Sequence, residues 1–128
     1  LSMKQLKKEV DQWLKEKYNM SDFNAYQRSA IRTAVYPPEH KILYPALGLA
    51  GEAGEVANKV KKVMRDGIEN QPSDWKEQIA SEIGDVLWYC AALAQDLNMS
   101  LGMIASLNER KLSSRFDRGK INGSGDNR

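Results

Sequence analysis

Four carboxylates dominate the chemistry available to this chain. They stand in two matched octets, Leu49-Ala50-Gly51-Glu52-Ala53-Gly54-Glu55-Val56 and Ile79-Ala80-Ser81-Glu82-Ile83-Gly84-Asp85-Val86. Each octet reads apolar, Ala, small, Glu, apolar, Gly, acid, Val, so each carries an acid pair at i, i+3 beside an apolar stripe. Two like charges about 5 Å apart repel by roughly 3 kcal/mol at an effective dielectric near 20. Without compensation some of these carboxyls would stay protonated. A hard divalent cation removes the conflict, and an all-oxygen set favours Mg²⁺, with Mn²⁺ next, over zinc. The competing reading is a pair of solvated helix faces, with Glu55 and Lys59 as an ordinary i, i+4 ion pair. The duplicated octet and its small neighbours favour the cation. A di-iron bundle needs Glu-x-x-His pairs, and the single histidine, His40, lies in a proline loop away from the acids.

The acids must be positioned by helices. On a wheel of about 100° per residue, Leu49, Ala53, Val56, Val60 and Val63 form one stripe, with Glu52 and Glu55 on its flank. Ile79, Ile83, Val86, Cys90, Leu93 and Leu97 form a second stripe, with Glu82 and Asp85 on the same flank. Two such helices packed antiparallel bring the four carboxylates together. Glycines 48, 51 and 54 leave room for a close approach by another helix or a phosphate.

Five helices are expected in chain order. Residues 3–17 are amphipathic, with Met3, Leu6, Val10, Trp13 and Leu14 on one side. Ser21 caps a second helix that ends before Pro37-Pro38, and residues 36–44 form an extended connection. Pro45 opens a third helix running to about Arg65, stopped by Asp66-Gly67. Ser73 caps a fourth from about Asp74 to Leu97, closed by Asn98. Ser100 caps a fifth reaching about Phe116. Residues 119–128 form a glycine-rich tail without regular structure. No stretch alternates with period two, so the fold class is all-α, a bundle of four or five helices.

The totals bound the rest. A chain of 128 residues, 41% hydrophobic and 28% charged, is one soluble globular domain. It has no signal-peptide pattern and no apolar run long enough to span a bilayer. Its one cysteine, Cys90, reads as a small core residue in a reducing, cytoplasmic setting. A net charge of +2 does not argue for nucleic acid, but residues 109–128 hold six basic groups against three acids. A polyanionic ligand that also binds metal would use both regions. Trp13, Trp75 and Trp88 read as core or interface residues, and Met99 and Met103 as gap-fillers.

Taken together, these motifs resemble the MazG-like, all-α nucleoside triphosphate pyrophosphohydrolases. The resemblance rests on Glu52-x-x-Glu55, 26 intervening residues, and Glu82-x-x-Asp85. It extends to Tyr26-Gln27, Arg32-Thr33-Ala34, the run from Leu43 to Glu55, the run from Glu82 to Tyr89, and Asn108, Lys111-Leu112, Arg115 and Gly123-Ser-Gly-Asp-Asn-Arg128. It covers roughly residues 22–128 and leaves the first helix, within residues 1–20, as an addition to a single MazG-like domain.

That resemblance implies Mg²⁺-dependent hydrolysis of nucleoside or deoxynucleoside triphosphates to the monophosphate and pyrophosphate, in nucleotide-pool sanitation or control. It implies a homodimer or homotetramer, with no nucleic acid or membrane partner. Glu52, Glu55, Glu82 and Asp85 become the metal ligands and catalytic carboxylates. Lys111 and Arg115 become triphosphate contacts, with Asn108 one turn earlier. Gln27, Tyr36 and Tyr89 fall near the base pocket. Gln78 replaces a lysine found in MazG proper, which turns attention to Lys59, Lys62 or the Arg118/Arg128 tail for phosphate. The alternatives are a guanosine alarmone or modified nucleotide as substrate, and a non-catalytic helical interaction module.

Overall fold

The computed structural model describes residues 2–17 and 22–128 and is all-helical, with no strand among the described residues. Five α-helices follow in order: α1 (Met3–Lys17), α2 (Phe23–Ala30), α3 (Leu43–Asp66), α4 (Trp75–Asp96) and α5 (Leu101–Asp117). Single 3₁₀ turns occupy Ile31–Thr33, Pro38–His40 and Ile68–Asn70. No described helix is long and apolar enough to cross a membrane.

The helix ends follow local chemistry. Asp22, not Ser21, caps α2: its Oδ1 accepts the amides of Asn24 and Ala25, both at 3.0 Å. Ser21 itself lies outside the described residues. The helix stops at Ala30, well short of Pro37, and continues as one tighter turn. Ser73 does not cap α4; Asp74 holds the cap position without a side-chain hydrogen bond. Ser100 caps α5 as expected, accepting from the Met103 amide at 3.1 Å. Gly67 at φ +87° ends α3, and Asn98 at φ +56° turns the chain after α4.

The third helix begins at Leu43, two residues before the expected Pro45, because the preceding turn is unusually tight. Ile42 sits at φ 68°, ψ −57°, and the Leu43 amide donates to the Lys41 carbonyl at 2.7 Å. Those values are those of a γ-turn of the strained kind. A β-branched residue there costs of the order of 1–3 kcal/mol unless its surroundings fix it. Instead of an extended connection, residues 36–44 form a 3₁₀ turn followed by this γ-turn.

Helices α3 and α4 form the long antiparallel pair of the fold. Contacts run from Ile42 with Asp96, through Gly48 with Tyr89, to Lys59 with Glu82. The small core lies at the other side of α4, where Ala91 and Ala94 meet Ala30 and Leu101, flanked by Tyr26, Trp88, Cys90 and Ile104. Trp88 is structural, as expected: its indole N–H lies 2.8 Å from Thr33 Oγ1 and 3.1 Å from the Ala30 carbonyl. Met99 and Met103, expected as core gap-fillers, are exposed instead. The tail does adopt no regular structure, but it is tied together. The Arg128 guanidinium donates to the carbonyls of Lys120, Ile121 and Gly125.

Candidate metal and nucleotide site

The α3–α4 seam is not the pair of apolar stripes that a single-helix wheel suggests. On α3 the side turned inward carries Pro45, Gly48, Leu49, Glu52, Val56, Lys59 and Val63, while Val60 is exposed. On α4 it carries Ile79, Glu82, Val86 and Tyr89, while Ile83 and Leu97 point outward at 47% exposure each. Glu52 and Glu82 thus lie in the seam itself, and Glu55 and Asp85 lie at its exposed edge.

Three of the four carboxylates converge. Glu52, Glu82 and Asp85 each present an oxygen such that all three lie within 4.8 Å of one another. Glu55 is outside that group, although its charge acts on Glu52. Burial pushes the Glu52 carboxyl above the usual carboxylate range, helped by a hydrogen bond to Glu82 and by the charges of Asp85, Glu82 and Glu55. Glu82 moves the opposite way, held down first by Lys59 and then by its bonds to Glu52 and Asp85. The two carboxyls are thus driven apart, Glu52 upward and Glu82 downward. Glu52 Oε2 is buried and has no hydrogen-bond partner. A buried oxygen of that kind is costly, and a hard cation ligated by oxygen is a fitting partner for it.

Lys59 does not pair with Glu55 along its own helix. Its Nζ lies 3.1 Å from Glu82 Oε1 on the facing helix. A cation of the chain already partly neutralises the acid group.

An aromatic row leads away from the carboxylates. Tyr89, one turn after Asp85, packs its ring over Gly48, where any Cβ would collide with ring atoms. Burial raises the Tyr89 phenol, with further contributions from Tyr44, Glu52 and Asp85. Tyr44 follows at 6.4 Å between centroids, and Tyr36 stacks on Tyr44 at 4.7 Å and 19°. Tyr36 and Tyr89 thus belong to one surface beside the acids. Gly51 and Gly54 face open space, as does Gly84.

Other residues singled out from the sequence are placed differently. Gln27 is buried, and its amide is fully engaged. It donates to Gln95 Oε1 and the Met99 carbonyl and accepts from the Leu101 amide at 2.7 Å. It splices α2 to the α4–α5 turn. Arg115 is only 5% exposed and donates to the Asp126 carbonyl. Arg118 donates to Ser114 Oγ and to the Arg128 carbonyl. Asn108 and Lys111 are exposed on α5. Among the described residues, no hydrogen bond or ion pair joins either to the carboxylates. Gln78 donates to Asp74 Oδ1, and His40 is exposed in its loop.

Comparison with known proteins decides the family. The model of the MazG nucleotide pyrophosphohydrolase domain matches residues 41–118, which hold all of α3, α4 and α5 and all four acids. The chain belongs to the MazG nucleotide pyrophosphohydrolase family. It is also similar to the Gene 37 protein of Mycobacterium phage L5, with 46% identity over 111 residues, covering 80% of this chain and 96% of the phage protein. No solved structure matches. The antiparallel packing of α3 and α4, both inside the matched region, is what brings Glu52, Glu82 and Asp85 together.

Sequence reasoning missed Asp96. Its Oδ2 accepts both the Tyr36 hydroxyl at 2.7 Å and the Ile42 amide at 2.9 Å. The available signal was its spacing, eleven residues or three turns beyond Asp85, which returns to nearly the same side of α4.

Proposed function

We propose that this MazG-family chain hydrolyses nucleoside or deoxynucleoside triphosphates to the monophosphate and pyrophosphate, with Mg²⁺ held by Glu52, Glu82 and Asp85. The observation that carries this reading is the convergence of those three carboxylates, one of which, Glu52, also holds a buried oxygen without a hydrogen-bond partner. When bound, the ion neutralises triphosphate oxygens and makes a water acidic enough to attack. Every other part falls to residues of the chain. Glu55, at the exposed edge of the seam, would be the fourth carboxylate available to the ion. Lys59 leaves Glu82 and turns to the phosphates. Tyr36, Tyr44 and Tyr89 provide the aromatic surface for the base. Positioning and electrostatics supply most of the rate in phosphoryl chemistry, so the reaction needs no covalent nucleophile. Burial raises the Cys90 thiol, which suits packing and not attack.

Asn108 and Lys111, exposed on α5, enter this reading through a second copy of the chain, while Arg115 holds the tail of its own copy. The surface area is 9885 Å², whereas a compact monomer of 14.5 kDa exposes about 6,900 Å². Leu47, Met64, Leu87, Leu107 and Phe116 lie bare, and Gly51, Gly54 and Gly84 face open space. A homodimer or homotetramer would cover these faces and bring α5 of one copy toward the acids of another.

Reaction in heavy-oxygen water tests the chemistry. Attack at the α-phosphorus puts the label in the nucleoside monophosphate and leaves the pyrophosphate unlabelled. Label in inorganic phosphate or in pyrophosphate would overturn the proposed reaction.

A further inference from the structure

Asp96 lies far along α4 from the carboxylates, yet one of its oxygens fixes two features of the nucleotide-facing surface. Oδ2 accepts the Tyr36 hydroxyl at 2.7 Å and the Ile42 amide at 2.9 Å. The first bond sets the ring that stacks on Tyr44 at 4.7 Å. The second holds the γ-turn in which a β-branched residue sits at φ 68°, a conformation that persists only where the surroundings over-determine it. Tyr44 lies two residues beyond that turn and adjoins Tyr89, whose ring rests on Gly48 one helical turn from Glu52. The 36–42 segment therefore depends on Asp96 for its place at the end of the row. A cleft of about 380 Å³ opens there, lined by Tyr36, Lys41, Gln95, Asp96 and Asn98 among others.

We infer that Asp96 is a positioning residue for base recognition: by holding Tyr36 and the Ile42 turn, it sets the Tyr36–Tyr44 face against which the nucleobase stacks. The inference rests on the triphosphate hydrolase reading and adds to it a residue outside the reaction centre. Asp96 touches neither phosphate nor metal in this account. Its effect must be seen in ligands that have a base and not in those that lack one.

The test compares KM and kcat for a nucleoside triphosphate with inhibition by inorganic tripolyphosphate, which has the phosphates but no base. Asp96→Ala is expected to raise KM about tenfold, leave kcat within about threefold, and leave tripolyphosphate inhibition unchanged. Asp96→Asn, which keeps an acceptor, is expected to restore most of the loss. Equal weakening of both ligands, a fall in kcat at constant KM, or no effect would overturn the inference. Should Asp96→Ala fail to fold, Tyr36→Phe keeps the ring and removes only the hydroxyl. It is expected to raise KM in the same sense, and an unchanged KM overturns the inference. A wild-type protein that hydrolyses no triphosphate is a separate outcome, which removes the functional reading and this inference with it.

Discussion

Lys59 Nζ lies 3.1 Å from Glu82 Oε1, across the seam between the two acid-bearing helices. The lysine holds down the Glu82 carboxyl, but it reaches only one of three converging acids and leaves Glu52 Oε2 without a partner. It is an incomplete counterion, and a divalent cation competes with it. Replacing Lys59 with Met is expected to cost only about 0.2–1 kcal/mol of stability, as for other partly exposed ion pairs. Mg²⁺ binding in the absence of nucleotide should tighten, because a competing charge is gone, while KM for the triphosphate should rise. Titration calorimetry and steady-state kinetics check the two halves. Weaker Mg²⁺ binding in the variant would contradict the competition.

Glu52 supplies a pH prediction. Its carboxyl is raised above the usual carboxylate value, first by burial. A group raised in the folded state contributes stability that is fully present below its unfolded value and is lost as pH rises through its folded value. Glu52→Gln removes that loss, since the amide stays neutral and still donates to Glu82. In a chelator, thermal denaturation should show the variant more stable than wild type at neutral pH, with the difference closing as the medium becomes acidic. A variant less stable at neutral pH would make Glu52 a structural partner instead.

Gly48 is the close approach that seats Tyr89. A methyl group there collides with the phenol ring, so Gly48→Ala forces the ring away from its position beside the acids. Overpacking of this kind costs about 1–3 kcal/mol, and nucleotide turnover should fall with it. Gly54→Ala meets nothing within its own chain and should leave the helical pair intact. Circular dichroism melts of both variants check the contrast.

The exposed apolar faces predict self-association. Met64 is 81% exposed and Leu47 65%, both on α3. Light scattering coupled to size exclusion should give a dimer or tetramer, and Leu47→Asp with Met64→Asp should shift it toward monomer. A wild-type monomer at micromolar concentration would contradict the assembly.

The helices were legible because amphipathic period, caps and glycine stops act locally. Asp22 took the cap beside Ser21, and Gly67 and Asn98 closed α3 and α4, each through a contact within a few residues. The acid pairs were legible as a duplicated pattern. Their arrangement was less so. A wheel centred on Leu49 put Glu52 on a flank, whereas the facing helix drew Glu52, Val56 and Lys59 inward and left Ile83 exposed. Lys59 likewise paired across the seam and not along α3, because Glu82 lies deeper than Glu55. The Ile42 turn and the Asp96 bonds depend on residues 54 and 60 positions apart, and no local period reports such contacts. Gln27, placed near the base by resemblance, spends its amide on the α4–α5 turn.

The central claim is that Glu52, Glu82 and Asp85 hold the divalent ion on which hydrolysis depends. Its most direct test is pyrophosphate release from the eight common nucleoside triphosphates, with Mg²⁺ or with chelator, by wild type and by Asp85→Asn. Wild type is expected to release pyrophosphate with Mg²⁺ from at least one triphosphate and none with chelator, and the variant to lose at least about a hundredfold. Release that survives the chelator, or an Asp85→Asn protein as active as wild type, would contradict it.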